Sequence, residues 1–592
     1  MKNPRIDLPE TITAPRTDPI YNCHAYLTKV PIGAIGPFIE AFTQPGDTVV
    51  DMFAGSGMTG LAAASRGRKA ALSDISILGQ HIANGYLVQV AESHLRRAAD
   101  QAVSQARKAL GGLYMTKRAS DGEKTEVVRT VWSFTYICSS CSTELVFFHA
   151  MRNGRTTAPD KCQQCKQAFV KRNWARGADV PVSVVVRGRD GRLVDQDVTA
   201  GDLRAIKQAG TDERQSQIPS LEIDAAREMY SRSGLGKAGL TSTKQFFSAR
   251  NAIALLELWN AIEAEPNEKL RSKLSFAFTA ILPRASRRYQ WSAQRPLNAQ
   301  NQTYYIAPVY YEWNVFELFD RKVEASIRAS DELFAAAPLF AETKASDVVY
   351  KIASADDLKH LADGSVDYVF TDPPFGSNIF YSDMNLFHEA WLGRVTDHAR
   401  EAVMHTTGRK KNGAAERYEA LLRGAFAEAC RILKPGRFMS VVFGNSDGQV
   451  WGLVQRAMRD AGFMSVPVHI AILDKGQRSV KGLNSGSEGV VTVDLIVTLR
   501  KPASASDKAG ARKLKQAEAA DLIEEAVGSI PATLLTPSHV YATIVRDAIR
   551  RNVMVDRLHL SEVLIALRNA GYRIDPKIGL LSHYSEVLTA AE

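Results

Sequence analysis

Residues 48–60 read Thr-Val-Val-Asp-Met-Phe-Ala-Gly-Ser-Gly-Met-Thr-Gly, and this stretch indicates how the chain folds. Its first residues, Thr48 to Met52, are a short apolar run of the kind that forms a buried strand of a parallel sheet. A glycine-rich turn leads into a helical pattern from Met58 to Ser65, and a second apolar run follows from Lys69 to Asp74. The order strand, helix, strand predicts a βαβ unit.

The turn of this unit has the features of a cofactor site. Glycines such as Gly55 and Gly57 let the backbone approach a ligand closely, and the helix that starts behind them offers unpaired N–H groups. Asp74 ends the second strand, where a carboxylate can accept hydrogen bonds from ribose hydroxyls. Such a turn is weak evidence by itself, and it gains weight from a second motif.

The second motif follows a strand in the later part of the chain. The strand-and-helix pattern resumes near Asp347, and a run from Val366 to Thr371 ends in Asp372-Pro373-Pro374-Phe375. The carboxylate of Asp372 and the carbonyl of the next residue can both accept hydrogen bonds from one exocyclic amine. Successive prolines make the segment rigid, and Phe375 offers a face on which a base can stack. The motif predicts a site for a planar ring with an amino group.

Length and composition restrict the class of protein. The chain has 592 residues, of which 45% are hydrophobic and 23% are charged, so several globular domains are expected. No run of about 18 apolar residues predicts a membrane-spanning helix, and Met1 to Glu10 lack the apolar run of a signal peptide. We therefore expect a cytoplasmic protein with no membrane partner.

Four of the six cysteines form two Cys-x-x-Cys pairs. Disulfides are not expected in the cytoplasm, and four thiolates at this spacing are typical of a tetrahedral Zn²⁺ site without an open position. The spacing therefore predicts a structural zinc ribbon and no catalytic metal. The predicted ligands are Cys138, Cys141, Cys162 and Cys165.

Together these motifs resemble those of S-adenosylmethionine-dependent DNA methyltransferases that methylate amino groups, in particular the adenine-specific DNA methylases that contain a zinc ribbon. The segment from Asp51 to Gly57 resembles the cofactor motif of the family, and Asp372 to Phe375 resembles its catalytic motif. His24 to Pro31 is similar to the segment that covers the methionine moiety of the cofactor. Ser354 to Leu358 is similar to the motif whose acidic residue meets the adenine amino group of the cofactor.

The resemblance and the residue chemistry together assign the candidate site residues. The predicted cofactor-binding residues are His24, Tyr26, Lys29, Asp51, Phe53, Gly55, Ser56, Gly57, Asp74, Ile75 and Asp356. The predicted catalytic residues are Asp372, Pro373, Pro374 and Phe375. Further segments that look similar to the subgroup are Gln245 to Ile262, Thr303 to Phe316 and Tyr381 to Gly393.

The resemblance implies an enzyme that transfers a methyl group from S-adenosylmethionine to an amino nitrogen of a base in double-stranded DNA. The target base is expected to leave the stack and enter the pocket. There Asp372 and Pro373 bind its amino hydrogens, Phe375 stacks on its ring, and the nitrogen attacks the methyl group directly. No covalent enzyme intermediate is needed. In the family an acidic first residue of the motif more often accompanies adenine N6 than cytosine N4.

Other functions stay open at this point. Cytosine N4 is the nearest alternative substrate. Gly376 makes the motif Asp-Pro-Pro-Phe-Gly, which also resembles guanine-N2 methyltransferases that act on RNA. A third alternative is a catalytically silent nucleic-acid-binding protein, against which the intact Asp51, Gly55 and Asp372 argue. The resemblance also suggests a partner protein from a restriction or phage-defence system.

The motifs divide the chain into four parts. We expect an α/β fold in which a Rossmann-like methyltransferase sheet is split by an inserted zinc ribbon and a mixed α/β recognition region, with a helical C-terminal module. Residues 20–100 hold the cofactor motifs, and residues 341–500 hold the catalytic motif. Residues 101–340 are the insertion, with the zinc ribbon at about 130–170, and residues 511–592 are the helical module.

Two basic stretches of the insertion are predicted to contact nucleic acid. Residues 278–300 contain four basic and no acidic residues, and residues 151–190 contain nine basic and three acidic residues. Their combined excess equals the formal net charge of +10 of the whole chain. In the first stretch basic side chains can meet phosphates while aromatic rings stack, although a solvated loop with a partly buried aromatic pair has the same composition. Its candidate residues are Arg284, Arg287, Arg288, Tyr289 and Trp291, with Arg295 behind them.

Overall fold

The computed structural model describes residues 7–14, 18–293, 304–335, 347–377, 379–474, 491–503, 512–513, 516–575 and 579–583. The strands are β1 (Thr11–Thr13), β2 (Thr48–Asp51), β3 (Lys69–Asp74), β4 (Met115–Lys117), β5 (Lys124–Ile137), β6 (Glu144–Val146), β7 (Ala175–Arg187), β8 (Leu193–Gln196), β9 (Val309–Trp313), β10 (Val348–Ile352), β11 (Val366–Thr371), β12 (Leu433–Phe443), β13 (His469–Asp474), β14 (Val493–Arg500), β15 (Arg512–Lys513), β16 (Val553–Met554), β17 (Tyr572–Ile574) and β18 (Leu581–His583).

The helices complete the mixed α/β architecture. They are α1 (Pro19–Cys23), α2 (Ile32–Phe42), α3 (Met58–Ala64), α4 (Ile77–Leu87), α5 (Glu92–Leu110), α6 (Phe147–Ala150), α7 (Ala200–Thr211), α8 (Glu228–Arg232), α9 (Leu235–Ala238), α10 (Ala249–Glu263), α11 (Glu268–Ala285), α12 (Val315–Ala335), α13 (Tyr381–Leu392), α14 (Ala414–Ile432), α15 (Gly448–Asp460), α16 (Gln516–Ser529), α17 (Pro537–Arg550) and α18 (Leu560–Asn569). No described helix has both the length and the hydropathy needed to cross a membrane.

Eight strands form the main sheet, in the order β1-β13-β14-β12-β11-β2-β3-β10. Strands β10, β3, β2, β11 and β12 are parallel to one another, and β14 runs antiparallel between β12 and β13. The chain leaves this sheet after β3 and returns to it at β10. This is the split Rossmann-like sheet that the sequence predicts.

Alternating residues of the central strands give the sheet two buried faces. Val49 and Tyr368 belong to the core under α2 and α3, whereas their neighbours Val50 and Val369 belong to the core under α14 and α15. This period of two is the expected consequence of strand geometry. Because both faces are apolar, both need a helical cover.

The C-terminal helices supply part of that cover. Helix α17 packs against β13 and β14, and its residues share the core of α14 and α15. The helix begins with a side-chain cap, since the Thr536 side chain accepts from the backbone N of His539 and Pro537 is the first helical residue. The helical tail therefore belongs to the main sheet's packing.

The insertion builds a second sheet with its own core. Strands β4-β5-β7-β8 follow one another, and β6 and β9 also pair with β5. Helices α5, α10, α11 and α12 cover this sheet, and α13 from the catalytic half shares the same core. Phe276 of α11 reaches the core of the main sheet, where Gly85 leaves no room for a Cβ. The two sheets are thus joined by packed helices.

The order of the main sheet defines where a ligand can bind. From β2 the chain builds outward through β3 and β10 on one side, and through β11 and β12 on the other. Between β2 and β11 the order reverses, which leaves a crevice at the carboxyl ends of these strands. Both sequence motifs follow strands that end there.

Candidate functional site

A cavity that is partly open to solvent, with about 890 Å³ of empty space, lies at the carboxyl ends of β2, β3 and β11. It brings together the cofactor motif and the catalytic motif, which lie more than 300 residues apart in the chain. Ten of the predicted residues line it: Tyr26, Lys29, Asp51, Phe53, Gly55, Ser56, Asp74, Ile75, Asp372 and Pro374.

Asp51 ties the two motifs to each other. Its carboxylate accepts hydrogen bonds from the hydroxyl of Thr59 at 2.6 Å, the hydroxyl of Thr371 at 2.9 Å and the backbone N of Phe53 at 3.1 Å. Burial raises the pKa of Asp51 to about 6, and these donors oppose the rise. Because Thr371 immediately precedes Asp372, the carboxylate of Asp51 sets the position of the catalytic motif relative to the glycine turn.

Asp74 and Gly55 shape the turn. The carboxylate of Asp74 accepts from the backbone N of Gly55 at 2.8 Å and of Ser76 at 2.9 Å, and burial raises its pKa. Gly55 has a φ of +48°, and a Cβ added there would lie 3.0 Å from the Tyr26 ring. The turn therefore needs glycine both for its backbone conformation and for the close approach of Tyr26.

Hydrogen bonds from neighbouring side chains hold the catalytic motif in place. The hydroxyl of Tyr418 donates to the Pro374 carbonyl at 2.6 Å, and Asn445 Nδ2 donates to the Phe375 carbonyl at 3.1 Å. Both donors lie on elements of the catalytic half, α14 and the loop after β12. The rigidity expected from the two prolines is thus extended by contacts that the sequence does not reveal.

Three residues predicted to bind the cofactor lie outside the cavity lining. His24 is fully buried, and its ring is within hydrogen-bond distance of the Ala25 carbonyl and of the Thr279 hydroxyl. Gly57 has a φ of +81° ahead of α3, where a Cβ would lie 2.6 Å from Ala83. The side chain of Asp356 is exposed, while its neighbours Ser354 and Ala355 line the cavity. None of these three residues lines the cavity, so the structure gives them no direct contact with its interior.

The aromatic face of the cavity also differs from the prediction. Pro373 is buried, and Phe375 is half-buried with its ring 5.0 Å from that of Phe443, so neither lines the cavity. Instead Tyr381 lines it, with its ring stacked on Tyr26 at a centroid distance of 6.1 Å. The segment from Tyr381 to Gly393 is similar to the subgroup in sequence, but that similarity assigned Tyr381 no role.

A carboxylate from a later loop was also missed. Glu401 lines the cavity and accepts from the backbone N of Ser382 at 3.1 Å and from the Ser382 hydroxyl. Burial raises the pKa of Glu401 to about 7. The surrounding sequence has no motif, so only the fold brings this carboxyl to the cavity.

The four predicted metal ligands form one cluster. The Sγ atoms all lie within 4.8 Å of one another. The two Cys-x-x-Cys turns are equivalent: Ser142 N donates to the Cys138 carbonyl at 3.0 Å, and Lys166 N donates to the Cys162 carbonyl at 3.1 Å. Four thiol groups at these distances, on two matching turns, fit a tetrahedral metal ion.

The predicted nucleic-acid contacts at the end of α11 need correction. Arg288 is 2% exposed, and its guanidinium lies 4.0 Å from the centre of the Phe387 ring. Tyr289 is also buried, 5.7 Å from the Tyr311 ring. The prediction of direct contact is wrong for these two residues, because both side chains belong to the core of the insertion.

The other members of this stretch differ in exposure. Arg287 is half-buried and donates to Asp179 at 2.9 Å, Trp291 is half-buried against the Phe148 ring, and Arg284 is exposed. Arg295 lies outside the described residues. A run of basic and aromatic residues therefore divides between core and surface.

Residues 9–87 match the N6/N4 methyltransferase family model, described as DNA methylase. This match confirms the resemblance to amino-methylating DNA methylases, and it covers the segment with the cofactor motif. The family includes both adenine N6 and cytosine N4 enzymes by its name, and the match says nothing of a restriction or phage-defence partner. No curated protein matches the chain.

Among solved structures, a geranyl diphosphate methyltransferase in complex with SAM is similar to this chain at 12% sequence identity. The similarity covers 30% of this chain and 73% of that one, with a TM-score of 0.16. A TM-score this low supports no conclusion about function.

Proposed function

We propose that this chain, whose first segment matches DNA methylases, transfers a methyl group from S-adenosylmethionine to an exocyclic amino nitrogen of a base in DNA. Adenine N6 is the favoured target and cytosine N4 the alternative. The observation that carries the proposal is the meeting of Asp51, Asp74 and Asp372 in one cavity at the point where the strand order reverses.

The cofactor would be held by the glycine turn and the strand ends around it. The backbone at Gly55 allows close approach, and the carboxylate of Asp74 can accept from ribose hydroxyls. Tyr26 covers the turn from the other side. When bound, S-adenosylmethionine supplies a methyl group on a positively charged sulfur. The residues around it orient that methyl group toward Asp372.

The target base would enter on the side of Asp372. Its amino group donates a hydrogen bond to the Asp372 carboxylate, which leaves the nitrogen lone pair directed at the methyl group. As the nitrogen–carbon bond forms, the carbon–sulfur bond breaks, and the nitrogen releases a proton that Asp372 can accept. Tyr381, and not Phe375, offers the aromatic face in the cavity. Most of the acceleration would come from alignment.

The four cysteines would hold a structural Zn²⁺, with all four ligand positions occupied by the chain. Metal analysis of the purified protein should find about one zinc per chain. Substitution of Cys162 by Ser should lower that content. A metal-free protein with an unchanged melting temperature would contradict the assignment. We place the protein in the cytoplasm, where such thiolates stay reduced.

We assign residues 20–100 and 341–500 to the methyltransferase domain, and residues 101–340 to an insertion that binds the target. Residues 511–592 would then be a module that completes the packing of the main sheet. The packing of α17 on β13 and β14 supports this role for the tail, because the tail shares a core with the catalytic half.

The proposal is tested by incubating the protein with radiolabelled S-adenosylmethionine and, separately, genomic DNA or total RNA. Digestion to nucleosides then identifies the product. We expect label in DNA as N6-methyladenine. Label in RNA alone would refute the substrate, and N4-methylcytosine as the sole product would refute the base only.

A further inference from the structure

A broad cleft in the insertion has a composition suited to a polyanion. It lies between β5, β7, β9 and the start of α10, and its empty space of about 1400 Å³ is open to solvent. Arginine or lysine side chains line it at four positions and carboxylates at two. The lining cations are Arg176, Lys244, Arg250 and Arg287. The net positive charge is what a phosphate backbone requires.

The two carboxylates of the cleft are neutralised by the protein itself. Asp179 accepts from Arg176 at 2.6 Å, from Arg287 at 2.9 Å and from the Tyr310 hydroxyl at 2.9 Å. One carboxylate between two guanidinium groups leaves an excess positive charge. Lys244 adds a further exposed cation at the rim.

The second carboxylate, Glu312, lies deeper. Arg250 donates to it at 2.6 Å, and Trp132 Nε1 donates to it at 2.8 Å. The Trp132 ring lies parallel to that of Tyr310, with a centroid distance of 6.3 Å. Because both rings and Arg250 are buried, contacts with a nucleic-acid strand would come from the cations at the rim of the cleft.

The segment that lines the cleft also packs on α13, the helix that begins at the catalytic cavity. Gln245 and Phe247 line the cleft, while Phe246 between them packs on Phe387 of α13 with ring centroids 5.1 Å apart. The first residue of α13, Tyr381, lines the catalytic cavity. The packing of Phe246 on α13 therefore connects the cleft to the helix that lines the cavity.

We propose that this cleft binds the phosphodiester backbone of the target DNA beside the methylated base. The inference rests on the proposed function. It replaces the surface role that composition assigns to Arg288 and Tyr289.

The test measures equilibrium binding of a fluorescently labelled DNA duplex by anisotropy at several salt concentrations, without methyl transfer. Lys244→Glu should weaken binding about tenfold and reduce the slope of log Kd against log salt by about one or two. Lys269→Glu, the same charge change on the exposed start of α11, is the matched control. Both variants should keep the wild-type melting temperature and cofactor affinity.

An equal loss of DNA affinity in both variants, or no loss in Lys244→Glu, would refute the proposal that the cleft binds DNA. The proposed function fails separately, if the wild-type protein binds DNA through the cleft but transfers no methyl group to it.

A different set of contacts joins the insertion to α13 and to the loop after it, residues 393–413, which we call the catalytic loop. Arg227 and Glu228 are adjacent in sequence, and both are buried. Arg227 donates to one oxygen of Asp383 at 3.1 Å, and the backbone N of Met229 donates to the other at 2.9 Å. Asp383 lies in the first turn of α13, next to Ser382, which binds the cavity carboxylate of Glu401.

Glu228 holds the loop after α13. It accepts from the backbone N of Thr406 at 3.0 Å and from the Thr406 hydroxyl at 2.6 Å. Two residues earlier, Met404 N donates to the Gly376 carbonyl at 3.2 Å. The loop that is hydrogen-bonded to Glu228 is therefore also hydrogen-bonded to the residue that follows the catalytic motif. Neither Arg227 nor Glu228 lines the cavity.

We infer that Arg227 and Glu228 are positioning residues that align the catalytic loop with the bound base. This too rests on the proposed function. Glu228→Gln should lower the rate constant of methyl transfer about 30-fold, because small misplacements of reacting groups cost up to about 100-fold. The Kd of S-adenosylmethionine should change less than about threefold, since Asp74 and the glycine turn are untouched.

Asp367→Asn is the matched control for Glu228→Gln. Asp367 is also buried and paired, with Lys434 at 2.7 Å, but it lies at the amino ends of the strands, away from the cavity. A double-variant cycle with Thr406→Val should show that the two losses are not additive. If Glu228→Gln and Asp367→Asn lost the same rate and the same melting temperature, Arg227 and Glu228 would have only a structural role. A wild-type protein without transfer activity would instead refute the proposed function.

Discussion

The cavity at the strand ends and the end of α11 both contain charged and aromatic residues, but the charged residues named here face an open space in the first region and the core in the second. In the cavity, Asp51, Asp74 and Asp372 surround an open space at the ends of strands. At the end of α11, Arg288 and Tyr289 point into the core of the insertion.

The difference comes from what specifies each region. The residues of the cavity follow strands whose order is constrained by the fold, so their motifs imply a position. The residues after α11 form no motif, and composition alone does not tell which side of a chain faces the core. Long side chains such as arginine can be buried along an aromatic face as readily as exposed.

The strongest test of the cavity is Asp372→Ala. We expect the rate of methyl transfer to fall about 1000-fold, because the amino group loses the acceptor that directs its lone pair. Cofactor affinity should stay within about threefold, as measured by isothermal titration calorimetry. Asp356→Ala, which changes an exposed carboxylate beside the cavity, is the control and should retain most of the activity. Wild-type turnover in Asp372→Ala would mean that the site is misplaced.

The strongest test of the insertion is Glu312→Ala. Removal of this carboxylate leaves Arg250 buried without its partner, so the insertion should lose about 3 kcal/mol of stability. Urea unfolding followed by tryptophan fluorescence measures this loss. The double variant Arg250→Met, Glu312→Leu should recover much of it, because no charge is left behind. A loss below about 0.5 kcal/mol in Glu312→Ala would show that the pair is not a structural element.

The comparison becomes sharper with Arg288→Ala and Arg284→Ala. The first variant removes a buried side chain packed on Phe387 and should cost about 2 kcal/mol of stability, whereas the second should stay within about 0.5 kcal/mol. Both are measured by urea unfolding and by DNA-binding anisotropy. If Arg288→Ala instead weakened DNA binding without any loss of stability, the surface role predicted from composition would be right.

The smallest expected effect concerns Glu401→Gln. Burial raises the pKa of Glu401 to about 7 from an ordinary value of 4.5, so the folded protein holds the proton more tightly than the unfolded chain. The resulting stability is present below about pH 4.5 and is lost as the pH rises through about 7. Glutamine does not ionise, so the variant's melting temperature should gain about 1–2 °C on the wild type between pH 5 and pH 8. A constant difference across this range would contradict the raised pKa.

Several features of the site followed from the sequence because they depend on neighbours along the chain. The turn after β2 needs glycine at Gly55, and the four cysteines in two equal pairs predict their own cluster. Glu401 and Tyr381 could not be found this way, because nothing near them in sequence marks a ligand site. Asp356 was assigned by resemblance to a motif and Phe375 also by its aromatic ring, but their neighbours Ala355 and Pro374 line the cavity instead.

The sequence by itself determined the split α/β sheet, the glycine turn with Asp74, and the Asp-Pro-Pro-Phe segment at a strand end, since periodicity and short-range turn chemistry are local properties. Only the tertiary structure decided which side chains face the cavity and which basic residues of the insertion are buried. It also decided that Arg227 pairs with Asp383 of α13 and that Glu228 binds the catalytic loop at Thr406. Burial and ion pairing depend on elements more than 100 residues apart in the chain, and their packing is a property of the whole fold.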